Sequence, residues 1–318
     1  MNIRDFATIL RELSFTEIRH EAMIPPRILL VSADSDDGDR WRSLIFGEES
    51  FPFVEVVSPS ESDVDPLAFD AIVSIDTLPV ELSRKWADTF RRAHEEMRLI
   101  EVQPDQSIQP EGLNRVRRVI CDLCRDRSVA FGRYMETMRN AATAEIVADT
   151  SRVNAQFAAL SNIPAIIPVI GNMFAAGADF LVLTKNQLMM MYRLAAIYDR
   201  DLDDRWQIYT ELTPIVGAGF LWRTTARQAS AMLPFALGAV PKVAIAYAGT
   251  YSIGQAARLY YEHGCVLNTS ELARISDEGV QAVSSVRGRI AAGIENDDRP
   301  AAPSTAGQID RIQAHSTG

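Results

Sequence analysis

Apolar positions come in short alternating blocks over the first third of the chain and in long unbroken blocks over the rest. Ile3, Phe6, Ile9, Leu10, Leu13 and Ile18 fall at helical spacing, which predicts an amphipathic helix over Ile3–Met23, ended by Pro25 and Pro26. Arg27–Ser32 has the length and branching of a buried strand. The segment from Asp34 to Gly47 is polar at first and then helical through Trp41, Leu44 and Ile45. Val54–Val57 and Phe69–Ile75 read as the second and third strands, Leu82–Met97 as a charged amphipathic helix, and Arg98–Val102 as a fourth strand. Short strands alternating with helices imply parallel βαβ units, so the front of the chain should be a small doubly wound sheet ending near Pro110.

Beyond that point the strand signal stops. Gly112 to about Leu160 is helical in pattern, and a Gly/Ala-rich apolar region follows to Tyr261, broken by the charged stretch Asp199–Arg205. Ser270–Ile290 is consistent with one more helix, and Asp297–Gly318, rich in Pro, Ser, Thr and Gly, with a disordered tail. The expected fold class is therefore α/β plus α, a parallel sheet followed by an all-helical domain. The expected organisation is an α/β domain over 1–110, a helical connector over 111–150, a helical domain over 151–295 and a tail over 296–318.

Charge sharpens this division. The chain of 318 residues has a formal net charge of −10, which argues against nucleic acid as the main partner. Residues 1–150 carry 18 basic and 28 acidic side chains, whereas residues 151–318 carry 14 of each. An acidic front and a neutral, apolar back suggest two different surroundings. The three cysteines, Cys121, Cys124 and Cys265, make no disulfide framework, and Met1–Leu13 lacks the apolar core of a secretory signal, so the water-facing part is expected in the cytoplasm.

The turn after the first strand is where a phosphate-binding loop belongs. Such a loop needs glycines whose N–H groups close on phosphate, a Lys for the β/γ-phosphates and a Ser/Thr for magnesium. Ser32–Ser43 keeps only Gly38 and has no Gly-Lys-Ser/Thr. Asp34, Asp36, Asp37 and Asp39 crowd the helix start instead, where carboxylates favour the dipole by roughly 0.3–1 kcal/mol each. Nucleotide binding in the usual manner is not expected. Their spacing faintly echoes a calcium loop, but the closing glutamate is out of register.

Phe15–Ala22 followed by Pro26–Ser32 resembles the entry into the Era-like GTPase domain of certain bacterial proteins, and Phe69–Asp76 the strand before the guanine-reading motif. That motif, Asn/Thr-Lys-x-Asp, is missing, since Arg98–Gln103 runs into Pro104–Ser107. The resemblance therefore implies a degenerate, pseudo-GTPase front domain. In the back half Ile163–Pro168, Asp179, Leu183-Thr184, Gln187, Met190, Ala195, Ile197-Tyr198, Pro241-Lys242 and Ala248–Ala256 with Tyr260 fall in the order shown by the GTPase-associated family called domain of unknown function 697. This similarity spans roughly 150–265 and implies a helical region at or in the bacterial inner membrane, with no catalytic residues to carry over.

Two apolar stretches agree with a membrane. Val153–Ala178 has only Asp179 at its end, and Gln228–Ala257 is interrupted only by Lys242; each is long enough to cross a core of ~30 Å at ~1.5 Å per residue. Arg223, Arg227, Lys242 and Arg258 have no acid between Glu211 and Glu262, which suits an anionic lipid surface. Against spanning stand Asn162, Pro164, Pro168 and Asn172, and Lys242 at a cost of roughly 3 kcal/mol. A hairpin span, peripheral attachment and a helical bundle with an apolar groove remain open; membrane association in one form or another is the expectation, on the cytoplasmic side of the inner membrane, with the cytoplasm as alternative.

The remaining chemistry is thin. Cys121-Asp-Leu-Cys124 has C-x-x-C spacing but lies in a helical stretch without a second pair, so packing is the expected role. Asp179, Leu183 and Gln187 share a helix face with Thr184 near them, which points to interhelical hydrogen bonds fixing register, and Met189–Met191 to core filling. His20, His94, His263 and His315 are scattered. No catalytic, cofactor-binding or metal residue is nominated. The expected protein is non-catalytic, membrane-associated or scaffolding, working through self-association or a protein partner. The alternatives are a magnesium-dependent nucleotide hydrolase built on the Asp-rich segment and a lipid- or small-molecule-binding bundle.

Overall fold

The structure, a computed structural model, describes residues 15–60, 64–104, 109–160, 178–204, 207, 208, 210, 240–264, 274 and 278. Helix α1 (Thr16–Met23) leads into strand β1 (Ile28–Val31), helix α2 (Ser35–Phe46) and strand β2 (Val54–Val57). Strand β3 (Ala71–Ile75), helix α3 (Val80–Ala93) and strand β4 (Leu99–Val102) complete the sheet. Helices α4 (Pro110–Leu123), α5 (Ser128–Tyr134), α6 (Arg139–Leu160), α7 (Ala178–Ile197) and α8 (Val240–His263) follow. The fold is thus a small parallel four-stranded sheet, in the order β2-β1-β3-β4, followed by an all-helical region.

Both faces of the sheet are covered, which is why its strands read as near-continuous apolar runs. Leu29, Val31, Val57 and Ile72 meet Leu82, Trp86 and Phe90 of α3 on one face. Ile28, Leu30, Val54, Val73 and Ile100 face the other way, into a core shared with Trp41 and Ile45 of α2. That second core does not stop at the sheet. It runs on through Ile120, Phe131, Met138 and Ile146 to Leu188, Tyr192 and Ile253 of the helical region. The front and back of the chain therefore bury one continuous apolar interior.

Polar clamps fix the same junction. Arg127, between α4 and α5, bonds Asp70 Oδ1 through Nε at 3.0 Å and donates from Nη2 to the carbonyl oxygens of Ile24 at 3.0 Å and Pro25 at 3.3 Å. Arg117 of α4 donates to the carbonyls of Ile45 and Leu44, both at 2.8 Å, satisfying the open C-terminal end of α2. Arg133 does the same for α7, reaching Ala196 O at 2.9 Å and Asp199 at 2.8 Å.

In the helical region α6, α7 and α8 lie against one another through a layer of bonded polar groups. Asn154 Nδ2 donates to Thr250 Oγ1 at 2.8 Å, Gln187 Nε2 donates to the same oxygen at 3.0 Å, and Asn186 Nδ2 donates to Asn154 Oδ1 at 2.8 Å. Thr250 in turn donates to Ala246 O at 2.9 Å. At Gly254 a Cβ would stand 2.5 Å from Val147 Cγ2, so only glycine permits the approach of α8 to α6.

These contacts overturn the expected membrane association. No helix among the described residues is long and apolar enough to cross a membrane. The described parts of the two apolar stretches, residues 153–160 and 240–257, belong to α6 and α8, where Asn154, Ala155, Ala158, Tyr247, Ile253 and Ala257 are buried against neighbouring helices, while Val153 and Leu160 are exposed. Residues 161–177 and 211–239, which hold most of the first stretch and the first part of the second, lie outside the described residues, as do the Ile163–Pro168 motif, Arg223 and Arg227. Arg258 stands 3.8 Å from Glu262 and is thus compensated. The assignments to a membrane surface or inner-membrane partner and to an inner-membrane location are accordingly corrected. Hydropathy alone cannot separate a lipid-facing run from one that faces a protein core. The expected tail over 296–318 and the helix before residue 15 also fall outside the described residues.

Candidate functional site

In an open parallel sheet, ligands bind beyond the carboxyl ends of the strands where the winding reverses. Here that point lies between β1 and β3, whose neighbours β2 and β4 were reached in opposite directions. The residues there are Ser32, Ala33 and Asp34 after β1, Asp76 and Thr77 after β3, and Glu101 on β4. None is basic.

The turn after β1 is three residues long, and α2 begins at once at Ser35. Asp34 Oδ1 accepts from Asp36 N–H at 3.0 Å, so the helix caps itself with its own carboxylate. Asp36, Asp37 and Asp39 lie inside the first turns of α2, the helix start at which the sequence places them. Gly38 has the same setting. A Cβ there would lie 2.4 Å from Val56 Cγ1 and 3.1 Å from Ser32 Cβ, so α2 rests directly on the strands. The glycine serves close helix–strand packing.

The turn after β3 is also closed by its own bonds. Asp76 adopts a left-handed backbone, φ 69°, and its Oδ1 accepts from Thr77 N–H at 2.7 Å. Asp76 N–H reaches Val102 O at 2.8 Å, and Glu101 Oε1 takes Leu78 N–H at 3.0 Å. The edge is acidic, and its carboxylates are engaged with neighbouring main chain.

The four aspartates do not converge. Asp34 caps the helix, Asp39 pairs with Arg42 at 3.0 Å, and no group of three acids, cysteines or histidines that could hold a metal occurs among the described residues. Cys121 and Cys124 are both buried. Burial pushes the Cys121 thiol well up and the Cys124 thiol up to about 12, which leaves them as unreactive packing groups. Cys124 Sγ lies 3.5 Å from Asp70 O at the junction of the two regions. Thr184 and Gln187 are buried, Gln187 in the three-helix polar layer, and Met190 and Met191 are core. The side chain of Asp179 lies outside the described residues. His20 is on α1, His94 caps α3 with φ 60°, and His263 ends α8, so the structure brings no two of these together.

One titratable group with an unusual setting was not legible in the sequence. Glu21 of α1 is held against α5, where its Oε1 accepts from Val129 N–H at 3.2 Å. Burial raises its carboxyl to about 7, although Arg193, the Val129 N–H and Arg127 all favour the charged form. Its neighbours in sequence, Arg19 and Ala22, give no hint of this, because every group around it comes from more than a hundred residues away. A groove beside β2, lined by Arg27, Arg42, Phe51 and Phe69, was likewise not anticipated.

No protein-family model, no curated protein and no solved structure matches this chain. The labels of domain of unknown function 697 and of pseudo-GTPase gain no support from these comparisons and are set aside as descriptions of the protein.

Proposed function

We propose that this chain is a non-catalytic docking or scaffolding protein, in which a rigid α/β unit is fused through a shared core to a helical bundle. The observation that carries this reading is the state of the turn after β1. The amide of Asp36 is taken by the carboxylate of Asp34, and α2 lies on Val56 through Gly38. An incoming triphosphate would meet the carboxylates of Asp34, Asp36 and Asp37, with the Asp36 N–H already taken and no lysine in Ser32–Ser43. A chain that keeps the sheet and both of its helical layers without that chemistry is suited to presenting surfaces.

The experiment is a titration of labelled GTP and ATP in the presence of magnesium, with phosphate release followed in parallel. The docking reading expects neither saturable binding below millimolar nucleotide nor release above buffer. Micromolar binding that Asp37→Ala and Asp39→Ala abolish would replace it with a divergent magnesium-dependent hydrolase.

A further inference from the structure

Helix α1 has little of its own to keep it folded. It is eight residues long and no side chain caps its start at Phe15, whereas an isolated helix shorter than about 12 residues is marginal in water. Its order comes from its seat on α5 and α7. There Phe15, Ile18 and Ala22 enter the shared core, and the Phe15 ring centre lies 4.4 Å from that of Tyr192. On the outer side Arg19 pairs only with the exposed Asp203. The firm polar attachments lie at the other end. Tyr134 of α5 donates from its hydroxyl to Met23 O at 3.2 Å, and Arg127 holds the Ile24 and Pro25 carbonyls. The connector over residues 24–27 is thus pinned, and α1 can leave its seat by turning there while β1 stays in the sheet.

Inside the seat one carboxyl is poorly placed to carry a charge. Glu21 Oε1 accepts the Val129 N–H at 3.2 Å, and no cation forms an ion pair with it among the described residues. The cations around it are engaged elsewhere or set apart. Arg127 spends its Nε on Asp70 and its Nη2 on the two connector carbonyls. Arg193 of α7 has a buried Nε with no hydrogen-bond partner among the described residues, and Arg133 of α5 is bound to Ala196 O and Asp199. Asp126, in the turn before α5, adds a second negative charge and pairs with Arg98 at 2.9 Å. The tyrosines of α5 and α7 at this seat, Tyr134 and Tyr192, give their hydroxyl protons to Met23 O and Leu202 O. Glu17 and His20 of α1 itself are exposed. Desolvation is accordingly the largest influence on the Glu21 carboxyl, and it outweighs the pull of Arg193 and Arg127.

We propose that α1 is a strap, hinged at residues 24–27, and that the charge on Glu21 governs its release from α5 and α7. With Glu21 protonated the strap is seated, and the carboxyl meets the Val129 N–H with no charge to desolvate. Ionised Glu21 is better solvated once α1 has lifted, and the lift uncovers Tyr192 and the apolar seat around it. Seated α1 binds the Glu21 proton more tightly than released α1, so seating is strongest in acid. Between the solvated value of 4.5 and the seated value of about 7, the released fraction grows roughly tenfold per pH unit; above that it levels off, after roughly 300-fold in all. The strap involves neither nucleotide nor a docking partner, so it stands or falls apart from the reading above.

Native-state amide exchange of the full-length protein, followed by NMR from about pH 5 to about pH 8 and expressed as protection factors, tests the strap with and without about 1 M urea. The amides of residues 19–23 should lose protection along the pH profile above and be at least tenfold less protected than those of β1. They should respond little to urea, because a local opening exposes little surface. In Glu21→Gln the profile should be flat, and in His20→Gln it should match the parent protein. Protection of residues 19–23 that equals that of β1 and falls with urea alongside it overturns the proposal, since α1 would then leave only when the whole chain unfolds. A parent profile that is flat between about pH 5 and about pH 7 overturns it without any variant. So does an undiminished slope in Glu21→Gln, or a slope that His20→Gln removes.

Discussion

Glu21→Gln isolates one carboxyl whose burial outweighs the attraction of the nearby Arg193 and Arg127. In the folded chain burial raises the Glu21 carboxyl from 4.5 to about 7. A carboxyl whose folded value is raised contributes most below its unfolded value and loses that contribution as pH climbs through the folded one. Each tenfold change in a proton equilibrium is worth about 1.4 kcal/mol, so the displacement amounts to about 3 kcal/mol between pH 4.5 and pH 8. Glutamine keeps an oxygen for the Val129 N–H, now 3.2 Å from Oε1, and has no charge to desolvate. Urea unfolding followed by tryptophan fluorescence, with Trp41 and Trp86 both buried, reads the difference. The two proteins should be alike at pH 4.5, and the variant should be more stable by about 3 kcal/mol at pH 8. A difference that does not change with pH, or a variant less stable at pH 8, refutes the account of this residue.

Three further outcomes follow from the packing. Thr250→Val leaves the amides of Asn154 and Gln187 without their shared acceptor and should cost about 2–4 kcal/mol in urea unfolding, whereas a surface threonine of the same type costs little. Gly38→Ala drives a methyl group against Val56 Cγ1, so a loss of about 1–3 kcal/mol is expected, and an unchanged midpoint would show that α2 does not rest on the strands as described. In a Cys265→Ser background Cys121 and Cys124, both buried, should be silent to a thiol reagent such as dithionitrobenzoate until the chain unfolds, when two thiols per chain appear.

The strands were legible because a sheet covered on both faces writes itself as short, β-branched apolar runs. Val54–Val57 is read with its observed bounds, and Arg27–Ser32, Phe69–Ile75 and Arg98–Val102 each overrun the strand by one or two residues. The start of α2 was legible for a local reason: aspartates crowding a helix start read as a cap with acids in the first turn, and Asp34 caps α2 with Asp36 and Asp37 in its first turn. The fate of the apolar back half was not legible at all. What distinguishes a core helix from a lipid-facing one is its partner, and here the partners are remote: Gly254 with Val147, Thr250 with Asn154, Arg133 with Ala196. The β2 groove was hidden for the same reason, since Arg27 meets Phe69 and Arg42 meets Phe51 only once the sheet has formed.

The account depends most on the closed turn after β1. Its direct test is the response of the main-chain amides of residues 32–39 in a transverse-relaxation-optimised NMR spectrum as magnesium GTP, and separately magnesium ATP, is added to several millimolar. With Asp34 already holding the Asp36 N–H, those amides should stay in place throughout the titration. Saturable shifts confined to that turn at micromolar nucleotide would contradict the central claim.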